Sequence, residues 1–308
     1  MRRKAGPKPT RGATAGLTVV AGIITARRAR PAVLVAALLL AGSLRGAPPG
    51  QRRGGSIGGQ PFGASRLPTW NRFATFDDFD GTFQFCRLVF RNAGNGDGAG
   101  WGVDWPRADQ NLSIRTSELS RTPISFNADG DPNTLLLRAT SPELSHCPFV
   151  MMTEPGGAYF DDEEAAALRT YLVKGGFLWA DDFWGEYAWA FWENQLRKVL
   201  PSAAYPIFDV PLDHALFHQL MTVPAIPQIP GIGYWLQTGG TSERGPDSRT
   251  PHVRAIADDH GRIMVLMTHN SDFGDSYERE ADNHEYFERF SVPGYAFGVN
   301  VVLYAMTH

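Results

Sequence analysis

The chain has 308 residues, 29 of them basic and 32 acidic, for a net charge of −3. Hydrophobic residues make up 43% and aromatic residues 12%, which excludes wholesale disorder. Two cysteines exclude a disulfide-rich scaffold and a four-cysteine zinc site.

The charge is unevenly spread. Residues 1–76 hold 13 basic residues and no acidic one, which leaves 16 basic against 32 acidic residues in the remainder. Such asymmetry marks a tail or targeting segment joined to a folded body. The acidic body excludes a general nucleic-acid binder, because phosphate contacts need a basic face. Arg27, Arg28 and Arg30 precede the apolar run Ala32–Ala41. Ten residues are too few to span a bilayer, which takes about 20. A basic stretch, a short apolar stretch and small residues after it form a secretory signal. Ala41 and Ser43 fit a cleavage site, so residues 1–43 read as a signal peptide with a long basic start. An uncleaved membrane anchor is the alternative. Residues 46–69 are rich in Gly, Pro, Arg and Ser, so 44–75 read as a disordered linker. Cleavage near Ser43 removes eight basic residues and leaves a mature chain of charge −11. The expected location is periplasmic or secreted, with membrane contact at most through the N-terminal segment.

Residues 76–308 read as one α/β domain. Phe83–Phe90 has strand composition, and a Gly/Asn loop follows over Asn92–Gly100. Trp101, Asp104 and Trp105 group aromatic and acidic side chains. Residues 108–120 suit a helix, with Leu112 and Leu119 on one face. Leu135–Leu137 is a short strand, and Pro148–Thr153 an apolar run of the buried parallel kind. Cys86 and Cys147 fall in or beside these strands. They read as small buried hydrophobes, with pairing the alternative in an oxidising compartment. Asp161 and Glu164 form a capping box, Ala165, Leu168 and Leu172 a helical stripe, and Gly175-Gly176 a stop. Strand Phe177–Ala180 follows, then a helix over Glu186–Leu200 with Trp192, Leu196 and Leu200 spaced by four. Residues 148–200 thus alternate strand and helix, which predicts a parallel sheet with crossover helices. His214 and His218 are four apart, a structural pair on one helix face. Residues 222–252, rich in Pro and Gly, read as a surface excursion. Val253–Ile256 and Arg262–Thr268 pair through the turn Asp258–Gly261, and Val292–Thr307 closes the domain as a helix.

Candidate site residues lie after the strands, where ligands bind in open α/β sheets. Asp181 and Asp182 follow Phe177–Ala180 and suit a hard cation or acid–base work, or else cap the next helix. His269, Asn270, Asp272 and Asp275 follow Arg262–Thr268 in the same way, as a metal or general-base site or as an Asx-built turn. Glu154, Gly156 and Gly157 follow Pro148–Thr153, and their backbone can face an anion or make a plain turn. Trp184 is the aromatic residue expected to line a cleft beside Asp181, with Asp104 and Trp105 a second ligand-binding group. No metal ligand set is assigned and no cofactor is implied.

Four stretches together resemble a bacterial family, domain-of-unknown-function family 4159. They are Trp105-Pro106 with Ala108-Asp109 and Asn111-Leu112, then Asp161 to Leu172 closed by Gly175-Gly176-Phe177-Leu178. Asp181-Asp182-Phe183 and His269-Asn270 with Asp272 and Gly274-Asp275 complete them. The resemblance covers residues 80–308. It implies a class I glutamine-amidotransferase-like fold, a flavodoxin-like three-layer sandwich with a mainly parallel sheet. It implies no activity. The turn that carries the amidotransferase nucleophile corresponds to Ala180–Gly185, which has no cysteine, so a Cys–His glutaminase is not expected. The expected function is an exported envelope module that binds a small molecule or carbohydrate, or assembles with an envelope protein. The alternative is a hydrolase using Asp181, Asp182 and His269, with or without a metal.

Overall fold

The run Phe149–Thr153 is apolar except for its last residue, and every residue in it is buried. A strand covered on both faces reads this way, because neither side meets water. The structure, a computed structural model, describes residues 72–308. The signal segment and the linker up to residue 71 lie outside the described residues.

In chain order the elements begin with β1 (Phe85–Leu88), β2 (Arg91–Asn92), α1 (Arg107–Ser120) and β3 (Thr134–Leu137). Then come β4 (Phe149–Thr153), β5 (Ala158–Tyr159), α2 (Asp162–Val173), β6 (Phe177–Phe183) and α3 (Gly185–Val199). The last part holds β7 (Phe208–Asp209), α4 (Ile232–Thr238), β8 (His252–Ala257), β9 (Ile263–His269), α5 (Phe273–Glu278), α6 (His284–Tyr286) and α7 (Val292–Thr307). Seven strands form one sheet in the order β3-β1-β4-β6-β9-β8-β7. The first five in that order run parallel; β8 and β7 complete the edge antiparallel. Counting only the parallel strands by their place in the chain, the order is 2-1-3-4-5. β2 and β5 make a separate ribbon.

Side chains alternate across the sheet, and each face builds its own core. Leu88, Val150, Met152, Leu178 and Ala180 pack against α2 and α3 through Leu168, Leu172, Trp192 and Leu196. Phe85, Phe149, Met151, Trp179 and Leu266 pack against α1, α5 and α7 through Leu112, Phe273 and Phe297. The fold is therefore α/β with helices on both faces of a mostly parallel sheet. The capping box of α2 forms: Glu164 N–H donates to Asp161 at 2.9 Å, and Asp161 N–H to Glu164 at 3.0 Å. Gly175 takes φ +114°, a conformation that suits glycine.

Several expectations change. Cys86 and Cys147 form a disulfide rather than standing as separate apolar residues. The reason is that β1 and β4 are sheet neighbours, an adjacency that their 61-residue separation hides. Leu119 is 44% exposed, because burial along α1 stops at Thr116. His214 and His218 share no helix. His214 caps the short turn Ala215–Phe217, and His218 Nε2 pairs with the Leu212 carbonyl at 2.9 Å. Residues 222–252 are not a mere surface excursion: Val223, Ile229 and Trp235 are buried, and Trp235 packs on Tyr286 and Phe290 at 5.7 Å. β6 runs past Ala180 to Phe183, with Asp182 as the extra residue of a bulge against β9. Among the described residues, His284–Thr307 is the helical run long and apolar enough to cross a membrane, and most of it is buried in the core.

Candidate functional site

The parallel strands deliver their carboxyl ends to one edge of the sheet. Non-glycine residues with left-handed backbone gather there: Asp104 (φ 60°), Glu154 (φ 50°), Asp182 (φ 59°) and Asn270 (φ 62°). Such conformations cost on the order of 1 kcal/mol each and persist where the surroundings impose them, often at functional sites. For Asp182 the bulge is the cause. One extra residue re-aims the side chain that an unbroken strand would send elsewhere.

Asp104, Asp182 and Asp272 converge here. Each offers a carboxylate oxygen, and the three lie within 4.8 Å of one another. The residues are only 9%, 8% and 6% exposed. Asp272 Oδ1 accepts the Asp275 N–H at 2.7 Å, and Asp182 Oδ1 accepts the Trp184 indole N–H at 2.9 Å. Asp104 Oδ2 is buried and has no hydrogen-bond partner among the described residues. A buried polar atom of this kind calls for an explanation, since nearly all are paired. Burial raises all three carboxyls well above the usual range. Neighbouring acids add to it: Asp275 for Asp104, Glu154 and Asp104 for Asp182, Asp182 and Asp104 for Asp272. Repulsion and desolvation both penalise the charged forms. A hard cation relieves both. Oxygens opposite each other across a calcium ion sit about 4.8 Å apart, twice a bond of about 2.4 Å.

Three supports fix this geometry. Arg87 is fully buried in β1 and pairs with both oxygens of buried Asp109, with Nε to Oδ2 at 3.0 Å. Its Nη1 donates to the Trp101 and Val103 carbonyls at 3.2 and 3.1 Å, which holds the turn that carries Asp104. Asp181 is fully buried and points at the start of α5. Its Oδ2 accepts Phe273 N–H at 3.0 Å and Gly274 N–H at 3.1 Å, and its Oδ1 accepts the Thr268 hydroxyl. Burial pushes the Asp181 carboxyl up to about 7, against the pull of these bonds. Gly274 is the third support, since a Cβ there would collide with Asp104 Oδ2.

The remaining predicted residues take other places. His269 faces away from this cluster. Its neighbour Thr268 bonds Trp179 on the α5 side, whereas His269 stacks on Phe183 at 5.0 Å and Trp189 at 5.2 Å. Its Nε2 meets the Gly185 carbonyl at 3.0 Å, and burial holds its pKa down to about 4, so the ring is neutral. Asn270 Oδ1 accepts the Gly185 N–H at 2.8 Å, and Asp247 accepts Glu186 N–H at 3.1 Å. These two, not Asp182, hold the start of α3, because the bulge turns Asp182 away. Trp184 is buried against Asp182, and Trp105 packs on Trp101 at 6.0 Å. Glu154 accepts the Ala99 and Gly100 N–H groups, and burial pushes its pKa up to about 6. Gly156 and Gly157 present carbonyls to Asp97 and Ala93 N–H at 3.0 and 2.8 Å, so this turn clamps the 92–100 loop.

Asp275 and Glu278 extend the acidic cluster along α5, and Glu278 is not among the site residues expected from the sequence. Its signal was the spacing Asp272, Asp275, Glu278, three residues apart on one helix face. The 226–250 segment covers the cluster. Asp272 N–H donates to the Ile229 carbonyl at 2.8 Å, Gly231 N–H to Glu243 at 2.6 Å, and Ile232 N–H to Asp275 at 2.5 Å.

Fold and site together define an α/β domain with a buried carboxylate cluster at the carboxyl edge of its parallel sheet. The family model described as Domain of unknown function (DUF4159) matches residues 85–306, and the chain belongs to this family. No curated protein matches the chain.

Proposed function

We propose that this chain is an exported bacterial-envelope domain that binds a divalent cation through Asp104, Asp182 and Asp272. Through that ion it binds an oxygen-rich ligand such as a carbohydrate. The observation that carries this reading is Asp104 Oδ2, a buried carboxylate oxygen without a hydrogen-bond partner among the described residues, on a residue facing two more acids. Trp101 and Trp105 flank Asp104 in sequence and suit a sugar face. The basic and apolar N-terminal segment and the Cys86–Cys147 disulfide support export, since disulfides persist in oxidising compartments. The strand order 2-1-3-4-5 supports the flavodoxin-like, amidotransferase-like assignment. Both cysteines are tied in the disulfide, which leaves no thiolate for glutaminase chemistry.

The hydrolase alternative draws on the same cluster. A bound cation lowers the pKa of its water, and carboxylates rather than His269 then take up the proton. Calorimetric titration of the full chain with Ca2+, Mg2+ and Mn2+ tests the reading. Saturable binding is expected, and Asp182→Asn and Asp272→Asn should abolish it. Silence with all three ions would sink the cation reading. Titration with muropeptides, with and without the ion, then separates a binding module from a hydrolase that releases product.

A further inference from the structure

The acidic cluster is larger than one ion needs. Asp104, Asp275 and Glu278 form a second set, and their oxygens also lie within 4.8 Å of one another. Asp104 is common to both sets. We propose that this edge of the sheet holds two hard divalent cations, with the Asp104 carboxylate bridging them. The inference rests on the cation-binding reading above and adds a second ion to it.

Asp104 is suited to the bridge. An ionised carboxylate has two oxygens and about four acceptor positions, enough for two ions. Oδ2 is engaged by no hydrogen bond of the described residues and is sealed from water. Gly274 makes room for it, since any side chain there would strike Asp104 Oδ2. α5 supplies the two sides of the pair. Asp272, at its start, serves the first set; Asp275 and Glu278, three and six residues on, serve the second. Oxygen-only ligand sets select Mg2+, Mn2+ or Ca2+ over softer ions.

Charge favours two ions over one. The five carboxylates of the two sets carry about five negative charges when ionised, and one dication leaves most of that repulsion in a buried site. Arg279 already offsets part of it. Its Nε lies 3.3 Å from Asp275 Oδ1 and 2.7 Å from Glu278 Oε2. Arg279 is itself 38% exposed, more than its partners Asp275 at 10% and Glu278 at 17%, and pairs with members of the second set. It competes with the second cation and not with the first.

Mn2+ is the probe, read on the full chain by equilibrium dialysis and electron paramagnetic resonance. Two ions per chain and the spectrum of an exchange-coupled pair are expected. Asp275→Asn and Glu278→Gln should each leave one ion with an isolated-ion spectrum. Both variants shed charge from a repulsive cluster and keep the side chain's size, and far-ultraviolet circular dichroism checks that each remains folded. Arg279→Gln should tighten the weaker ion several-fold and leave the tighter one unchanged. One ion per wild-type chain, with a spectrum that Asp275→Asn does not alter, overturns the bridge and spares the single-cation reading. No bound Mn2+ overturns both. An Arg279→Gln chain with unchanged affinities overturns the second site's placement.

Discussion

Asp182 combines a bulged strand, a left-handed backbone and a buried charge. Each feature costs stability, and each turns the carboxylate toward Asp104 and Asp272. Asp182→Asn should therefore raise the cation-free protein's stability by about 1 kcal/mol, because it removes a carboxyl whose ionisation is opposed by burial and by neighbouring acids. It should also erase the gain that the ion gives, about 2.7 kcal/mol at one hundred times its dissociation constant. Thermal unfolding with and without Mg2+ or Ca2+ reads both effects, and an ion-induced rise that survives the substitution refutes the assignment. His269 makes a separate prediction on the other face of the sheet. Burial holds its pKa near 4, below the ordinary 6.5, beside Arg254 and His252. A histidine depressed in the fold adds stability above pH 6.5 and loses it as pH falls toward 4. The loss is roughly 3 kcal/mol. His269→Gln should flatten the pH dependence of urea unfolding in that window, and an unchanged slope would refute the argument. Asp182 and Asp272 were legible in the sequence because each follows an expected strand, and Asp104 because it sits among tryptophans; that the three converge was not. Nor was Arg87. A lone arginine inside Phe83–Phe90 gives no hint that its partner is Asp109 or that both are buried.

At the scale of elements, the legible parts were those with a clean period and local punctuation. α2 carries its own capping box and stop, and α7 falls where its apolar run begins and ends. The segment from 222 to 252 lacks both signals. Its order comes from distant partners, such as Trp235 on Tyr286 and the Ile229 carbonyl on Asp272 N–H. The turn after β4 shows how closely elements meet near the site. A Cβ on Gly156 would lie 2.8 Å from both the Ala188 Cβ in α3 and the Asp97 carbonyl. Gly156→Ala should thus force α3 and the 92–100 loop apart, at a cost of about 1–3 kcal/mol. Glu154, which grips the Ala99 and Gly100 N–H groups, would shift with the turn. Urea unfolding measures the cost, and a variant as stable as wild type would show that the contact yields freely.

For the whole molecule, what the sequence could not supply was adjacency. The strand–helix alternation announced a parallel sheet, but nothing in it placed β1 between β3 and β4. That order brings Cys86 beside Cys147 and closes a loop of 61 residues holding α1, β3 and the turn with Asp104. The crosslink lies near the amino ends of β1 and β4, and the carboxylates gather at their carboxyl ends. Stability and site chemistry are therefore separable along one pair of strands. A crosslink over a loop of this length stabilises by about 4 kcal/mol, chiefly through the entropy it removes from the unfolded chain. The double variant Cys86→Ala, Cys147→Ala should lose about that much in urea unfolding. At temperatures where it remains folded, its cation affinity should match that of the wild type. A variant that keeps full stability would refute the loop-closure argument. One that stays folded but loses the ion would show that the crosslink, and not Arg87, fixes the turn that carries Asp104.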